Sequence, residues 1–276
     1  MATPENYPFL LHPCYSESRK GLWARIHLPV ARFCNVKCIF CDHSAGSACH
    51  TSKPGFAASL MEPKEAIART LEEVEKNPRL KIVAVSGPGE PLANEETFVT
   101  LKGVREKNRY LKFCLSTNGV LLKETTSNLE ELGISTISVS MSAIFPETAA
   151  QIYEWALIDE KRTQGLEMGE ILIDKQLAGI ERAVSLGITV KVNTILIPSI
   201  NMDDISSLSK HLSKLGVALQ NIVPVISSWN TPKLVPPSRR ELDEARQIGS
   251  KNILQFTHCQ QCRSDVVGVP GNDRIL

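Results

Sequence analysis

The sequence predicts an α/β protein built as a complete or partial (β/α) barrel of TIM type. Three observations predict it. Short β-branched, apolar runs alternate with amphipathic stretches along the chain. Six or seven such units within about 230 residues match the scale of that fold. Each motif with chemical potential falls after one of the apolar runs or in a terminal extension, and catalytic groups of a parallel barrel collect at the C-terminal strand ends. A doubly wound open sheet is the alternative arrangement of the same units.

The predicted strands cover residues 24–30, 81–85, 112–116, 136–141, 189–194 and 221–225, with 253–256 as a further candidate. Between them lie predicted helices over 63–75, 95–107, 125–132, 174–186, 203–215 and 238–249. Leu177, Ile180 and Ala183 give one of these an apolar face, and Glu130 and Glu131 mark the polar side of another. One domain is expected: a barrel over 24–250, an N-terminal extension over 1–23 and a C-terminal extension over 251–276. Neither extension reads well as strand or helix, and both carry cysteine.

The 276 residues are 42% hydrophobic and 22% charged, which suffices for a sizeable core. Thirty-one basic and 30 acidic side chains leave a net charge of +1. That balance gives no electrostatic case for nucleic acid or an anionic membrane as partner. The N-terminus lacks the charged and apolar regions of a secretion signal, and no run of 18 or more apolar residues occurs. A cytoplasmic protein is expected.

The eight cysteines are unevenly spread. Four of them, Cys34, Cys38, Cys41 and Cys49, fall within 16 residues, and Cys259 and Cys262 form a CxxC pair near the C-terminus. In a reducing compartment such groups read as metal or redox sites. Directly after the first strand, Cys34, Cys38 and Cys41 have spacings that let three thiolates hold three irons of a [4Fe–4S] cubane. The fourth iron then keeps an open position, as a catalytic metal requires. A structural zinc site using Cys49 as fourth ligand is the competing reading.

This pattern, with the aromatic Phe40 before the third cysteine, resembles the signature of the radical S-adenosylmethionine (SAM) superfamily. The resemblance implies that Cys34, Cys38 and Cys41 are the catalytic cluster ligands and that SAM chelates the open iron. Gly87, Gly89 and Glu90, in Ser86-Gly87-Pro88-Gly89-Glu90 after the second strand, are candidate SAM contacts: glycine admits close backbone approach, and Glu90 offers an acceptor to the methionine ammonium. Ser116 and Asn118 after the third strand, and Asn193 near the end of the fifth, are candidates for ribose or carboxylate. Turn and capping roles compete for each. Cys114, inside Phe113-Cys114-Leu115, reads as a small buried hydrophobe. His27, His43, His50 and His258 read singly as structural or surface residues.

His12-Pro13-Cys14, Cys49 and Cys259-Gln260-Gln261-Cys262 supply more soft ligands than a simple radical enzyme needs. The blocks around them, His12 to Glu17, Ala24 to Val30, Gly87 to Asn94, Ser116 to Gly119, Val190 to Asn193 and His258 to Asp265, resemble the NifB family of nitrogenase cofactor maturases along nearly the whole chain. The resemblance implies two further [4Fe–4S] precursor clusters, ligated among His12, Cys14, Cys49, Cys259 and Cys262. It implies that one SAM methylates a cluster sulfide and a second supplies the radical that removes hydrogen from that methyl, so that carbon enters as carbide while the clusters fuse into an eight-iron core. It implies partners too: a reduced ferredoxin- or flavodoxin-type electron donor, cluster donors and downstream cofactor carriers.

The chain departs from the family at Cys49-His50-Thr51-Ser52-Lys53-Pro54-Gly55, which is one residue shorter than usual and lacks a glutamate. A role for that glutamate would fall to Asp42, His43, His50 or Glu17, or be absent. The stretch from Ser138 to Ser142 also differs from the usual threonine- and asparagine-containing version. The chain stops soon after the CxxC pair, so the carrier domain of some family members is expected to be missing. Two alternatives stand beside this reading: a radical SAM enzyme with auxiliary clusters acting on another substrate, and a non-enzymatic iron–sulfur carrier or zinc module.

Overall fold

The structure, a computed structural model, describes residues 7–41, 55–227 and 234–276. Among them the principal sheet is built from β1 (Ala24–His27), β3 (Leu80–Val85), β4 (Lys112–Thr117), β5 (Ile134–Ser140), β8 (Thr189–Leu196) and β9 (Leu219–Pro224), all parallel and neighbours in that order. Helices α1 (Pro63–Lys76), α2 (Glu95–Lys107), α3 (Leu122–Glu131), α5 (Gly165–Ser185), α7 (Asp204–Lys214) and α8 (Arg239–Ser250) connect these strands or follow the last of them. The result is the partial barrel expected from the alternation.

The strands bury both faces, and their period of two assigns the faces different jobs. Val83, Val85, Phe113, Leu115, Ile137, Val139, Val190 and Val192 belong to the main core together with helical residues such as Leu101, Val104, Leu129, Leu172 and Ile180. Burying each such side chain contributes about 1.5–3 kcal/mol. The alternate residues face inward and are mostly small or polar: Arg25 and His27, Ala84 and Ser86, Cys114 and Ser116, Ser138 and Ser140, Lys191 and Asn193, and Asn221. Their small side chains leave the lumen open as a ligand cavity, with polar groups set into a wall that also carries Ile82, Ile195 and Val223.

Four features differ from the sequence expectations. The residues after 256 do form strands: β10 (Val266–Val269) and β11 (Asn272–Ile275) make a hairpin that pairs antiparallel with the free edge of β1. Their shortness and the fully exposed β11 hide the alternation on which strand recognition relies. The 253–256 candidate shrinks to one bridge, Gln220 with Gln255. Helix α5 starts at Gly165, not at 174, because its glycine-bearing first turns pack on α4 (Pro146–Ile152); a Cβ on Gly169 would lie 2.5 Å from the Pro146 carbonyl oxygen. Finally, β2 (Val36–Cys38), β6 (Tyr153–Ile158) and β7 (Lys161–Thr163) form a small antiparallel sheet. The β6–β7 turn places Asp159 and Glu160 at φ of 49° and 63°, without the asparagine or glycine that marks such turns in sequence.

The 4-residue α6 (Pro198–Asn201) completes the α-helices among the described residues, and Pro91–Ala93 form a 3-10 turn. None of them is long and apolar enough to cross a membrane.

Candidate functional site

The three-cysteine loop follows β1, with Cys34 seven residues after His27. Phe40 is buried and anchors it, while Cys34, Cys38 and Cys41 are half-buried. Cys38 closes β2, whose pairing with β6 fixes its backbone, and the Cys41 amide donates to the Cys38 carbonyl at 3.1 Å. Cys34 Sγ donates to the Val36 carbonyl at 3.1 Å. None of the described cysteines is in a disulfide.

The glycine-rich loop after β3 is locked to this segment by close backbone approach. Gly89 N–H donates to the Ala31 carbonyl (2.7 Å) and Glu90 N–H to the Phe33 carbonyl (2.8 Å). A Cβ on Gly89 would lie 2.3 Å from the Phe33 oxygen, so only glycine fits. Asn94, assigned no role from the sequence, completes the lock. Its Oδ1 accepts from the Arg32 and Phe33 amides, and its Nδ2 donates to the Phe33 and Glu90 carbonyls.

Glu90 is 2% exposed. Its carboxylate accepts from Thr117 Oγ1 at 2.6 Å, the Asn118 amide at 2.6 Å and the Leu92 amide at 3.0 Å. Burial pushes its pKa up to about 7, against the pull of these donors. Asn118 Nδ2 in turn donates to Asn35 Oδ1 at 2.7 Å, beside Cys34. Asn35 Nδ2 is buried with no partner among the described residues. Glu90, Thr117, Asn118 and Asn35 thus run from the second loop back to the cysteines. Gly87 stands apart from this chain, against Gly55 and Ser264.

A second constellation occupies the lumen. A cavity of about 170 Å³, open at its mouth, is lined by His12, Cys14, Cys114, Cys259 and Cys262. Ser116 and Asn193 line it as well, so two candidate SAM contacts face the auxiliary cysteines. The N-terminal segment enters the lumen through tyrosines: Tyr7 and Thr136 share a hydroxyl bond of 3.2 Å, and Tyr15 OH donates to the Ile137 carbonyl at 2.8 Å. The C-terminal segment is held by Gly55 N–H donating to the Cys262 carbonyl and by His27 Nδ1, 3.0 Å from the Arg263 carbonyl. Cys114 is buried as expected, but on the inner face. Its two-residue spacing from Ser116 carries that information in the sequence.

Two cations, a histidine and a thiol contribute to the field in this cavity. Arg25, fully buried, reaches Cys262 Sγ at 3.1 Å and pairs with Asp273. Lys191, 3% exposed, donates to the Cys14 carbonyl at 3.1 Å, with the Tyr15 and Phe256 rings 5.2 and 5.3 Å from its Nζ. Burial, reinforced by the charge of Lys191, keeps the His12 pKa well below its usual value, so its ring is neutral. His12 Nδ1 accepts from the Cys14 amide at 3.0 Å, and Nε2 is buried with no partner among the described residues. Burial raises the Cys262 thiol to about 11, with Arg25 opposing the rise.

These donor sets fit iron–sulfur clusters. Three thiols in one loop suit a cubane with an open iron, and the neutral His12 and the lumen thiols are soft ligands around one cavity. Among the described residues no three His, Cys, Asp or Glu side chains converge on a single metal ion. A cubane asks for less, since each thiolate meets its own iron. Cys49, with Asp42, His43 and His50, lies outside the described residues. Glu17 is at the surface, 3.2 Å from His258.

The family model of the radical SAM superfamily matches residues 28–212. The chain is 40% identical over 266 residues to the FeMo cofactor biosynthesis protein NifB of Methanocaldococcus jannaschii, covering 96% of this chain and 88% of that protein. It is 37% identical over 270 residues to the NifB of Klebsiella pneumoniae, covering 95% and 58% respectively. Among solved structures, Streptococcus suis SuiB bound to S-adenosylmethionine superposes with a TM-score of 0.61 at 15% identity, covering 86% of this chain and 51% of that one. Native anSMEcpe with bound AdoMet gives 0.56 at 14% identity, covering 84% and 63%. These two share the fold. On the sequence comparisons, the chain belongs to the NifB family of the radical SAM superfamily.

Proposed function

We propose that this radical SAM enzyme is the maturase that builds the eight-iron precursor of the nitrogenase cofactor from two [4Fe–4S] substrate clusters, inserting carbon as carbide. The observation that carries the reading is the lumen: His12, Cys14, Cys259 and Cys262 line one cavity at the mouth of the barrel, separate from the three-cysteine loop.

Cys34, Cys38 and Cys41 hold the resident [4Fe–4S] cluster, which, with SAM bound, supplies the electron for sulfonium cleavage. Phe40 and β2 fix the loop, and Gly89 and Asn94 set its distance from the second strand. Glu90 orients the Thr117–Asn118 turn, and Asn118 orients Asn35. By the superfamily motifs, Gly87, Gly89, Glu90, Asn118 and Phe40 would contact or support SAM beside the loop, with Glu90 acting from a buried position and Gly87 from the side of Gly55 and Ser264, and Ser116 and Asn193 face the lumen. The terminal extensions and the barrel work as one domain, because the cavity needs residues from all three. His12, Cys14, Cys259 and Cys262, with Cys49, are the ligands of the substrate clusters. His12 Nδ1 is committed to the Cys14 amide, so the ring must release that bond to ligate through Nδ1 or to present a deprotonated Nε2. Electrons come from a reduced ferredoxin- or flavodoxin-type donor, and the product passes to a carrier protein.

The test is anaerobic. The protein is reconstituted with iron and sulfide, reduced and given SAM, and both nucleoside products are quantified. S-adenosylhomocysteine together with 5′-deoxyadenosine is expected. 5′-Deoxyadenosine alone excludes the methyl transfer this function requires, and neither product indicates a carrier.

A further inference from the structure

We propose that Lys191 is the cationic binding group for the anionic iron–sulfur cargo in the lumen. This rests on the maturase reading. It adds a charged substrate contact to the cysteine and histidine ligands.

A buried ammonium without a counter-ion is costly, so proteins pair it or give it a ligand. Lys191 projects from the inner face of β8, and among the described residues no carboxylate forms an ion pair with it. Its one hydrogen bond among the described residues goes to the Cys14 carbonyl, beside a candidate cargo ligand. The Tyr15 and Phe256 rings flank Nζ and hold it at the cavity wall without neutralising it. Arg25 differs: Asp273 compensates its charge and its carbonyl contact to Gly268 occupies a second nitrogen.

The whole lining agrees. Among the described residues around the cavity are two cations, Arg25 and Lys191, and no aspartate or glutamate. A cubane with thiolate ligands is net anionic, and joining two of them concentrates that charge. A cavity carrying positive charge and no carboxylate is complementary to such a cargo. Three ammonium protons, with one hydrogen bond made, leave Nζ donors for cluster sulfides or ligating sulfurs.

The test uses the full chain with Lys191→Met, Lys191→Gln and Lys191→Arg. Three readouts are taken: melting of the apoprotein, iron retained per chain against a chelator, and the potentials of the resident and lumen clusters from redox titration followed by electron paramagnetic resonance. Lys191→Met is expected to melt no lower than the parent, since it removes a buried charge. It should retain lumen iron roughly 10–100-fold more weakly. Its lumen clusters should move to lower potential, because losing a nearby cation disfavours the more reduced, more anionic state, while the resident cluster stays put. Lys191→Gln should follow Lys191→Met, and Lys191→Arg should restore retention and potential. A wild-type chain that holds only the resident cubane overturns the maturase reading and this inference with it. A wild-type chain with its lumen clusters, and Lys191→Met unchanged in retention and potential, overturns the inference alone. Apo Lys191→Met and Lys191→Gln that both melt well below the parent assign Lys191 a packing role and overturn it as well.

Discussion

Asn94 and Phe33 form a reciprocal pair: Asn94 Oδ1 accepts the Phe33 amide at 2.9 Å, and Asn94 Nδ2 donates to the Phe33 carbonyl at 2.8 Å. One side chain thereby imitates a strand partner for the residue preceding Cys34. Asn94→Ala leaves the Arg32 and Phe33 amides without their acceptor, at a cost of about 2–4 kcal/mol. The variant should lose resident-cluster iron before lumen iron, measured by iron content and paramagnetic resonance after reconstitution. Asn94→Asp keeps the acceptor and should fall between the two.

Gly89 packs against the same Phe33 carbonyl. A Cβ there would lie 2.3 Å from the Phe33 oxygen and 2.7 Å from its carbonyl carbon, and both are backbone atoms. Gly89→Ala must push the cysteine loop away, with a cost on the order of 1–3 kcal/mol. Calorimetry should show the lower melting temperature, and the resident cluster should be under-loaded. Gly21→Ala is the comparison: at φ +70° with nothing within 4 Å it carries backbone strain of about 1 kcal/mol and should leave cluster loading intact.

The sequence reading reached the barrel because its outer face is written in β-branched residues with helices between. It named Cys34, Cys38 and Cys41 as candidate cluster ligands because the three thiols lie within eight residues of one another. What it missed depends on residues meeting across distance. Asn94 reads as an ordinary polar residue before a helix, and its four bonds exist only once β1 and β3 are neighbours. Cys114 is apolar by context in Phe113-Cys114-Leu115, and only the pleat turns it toward His12 and Cys14. The C-terminal hairpin is too short and too exposed to announce itself, and it becomes a strand pair by docking on β1.

Glu90 makes the stability of the apoprotein depend on pH. Its ordinary value is 4.5 and burial raises it to about 7, so the native state binds the proton more tightly than the unfolded chain. The stability this gives is fully present below about 4.5 and is lost as pH rises through about 7. The shift corresponds to roughly 3 kcal/mol. Denaturant titrations at pH 5 and pH 8 should therefore show the wild type falling more steeply than Glu90→Gln. Gln places an amide NH₂ where one of two oxygens now accepts, so its absolute stability is lower at both pH values; the difference in slope is the readout. Equal slopes would show that Glu90 titrates at its ordinary value.

Cys259 and Cys34 belong to different constellations, and their variants should separate two uses of SAM. Cys259 lines the lumen with His12, Cys14 and Cys262, whereas Cys34 lies in the loop behind the Gly89–Phe33 contact. Cys259→Ala removes one soft ligand from the cargo space and touches no bond of the Glu90–Asn118–Asn35 chain. It should still release 5′-deoxyadenosine from SAM under reduction, while S-adenosylhomocysteine falls because the sulfide that accepts the methyl is no longer held. Cys34→Ala should abolish both products, since the resident cluster loses an iron ligand. Product quantification on the two variants checks this. A Cys259→Ala protein that keeps both products at wild-type levels would place the methyl acceptor outside the lumen, and the arrangement of clusters derived from His12, Cys14 and Cys262 would have to be redrawn.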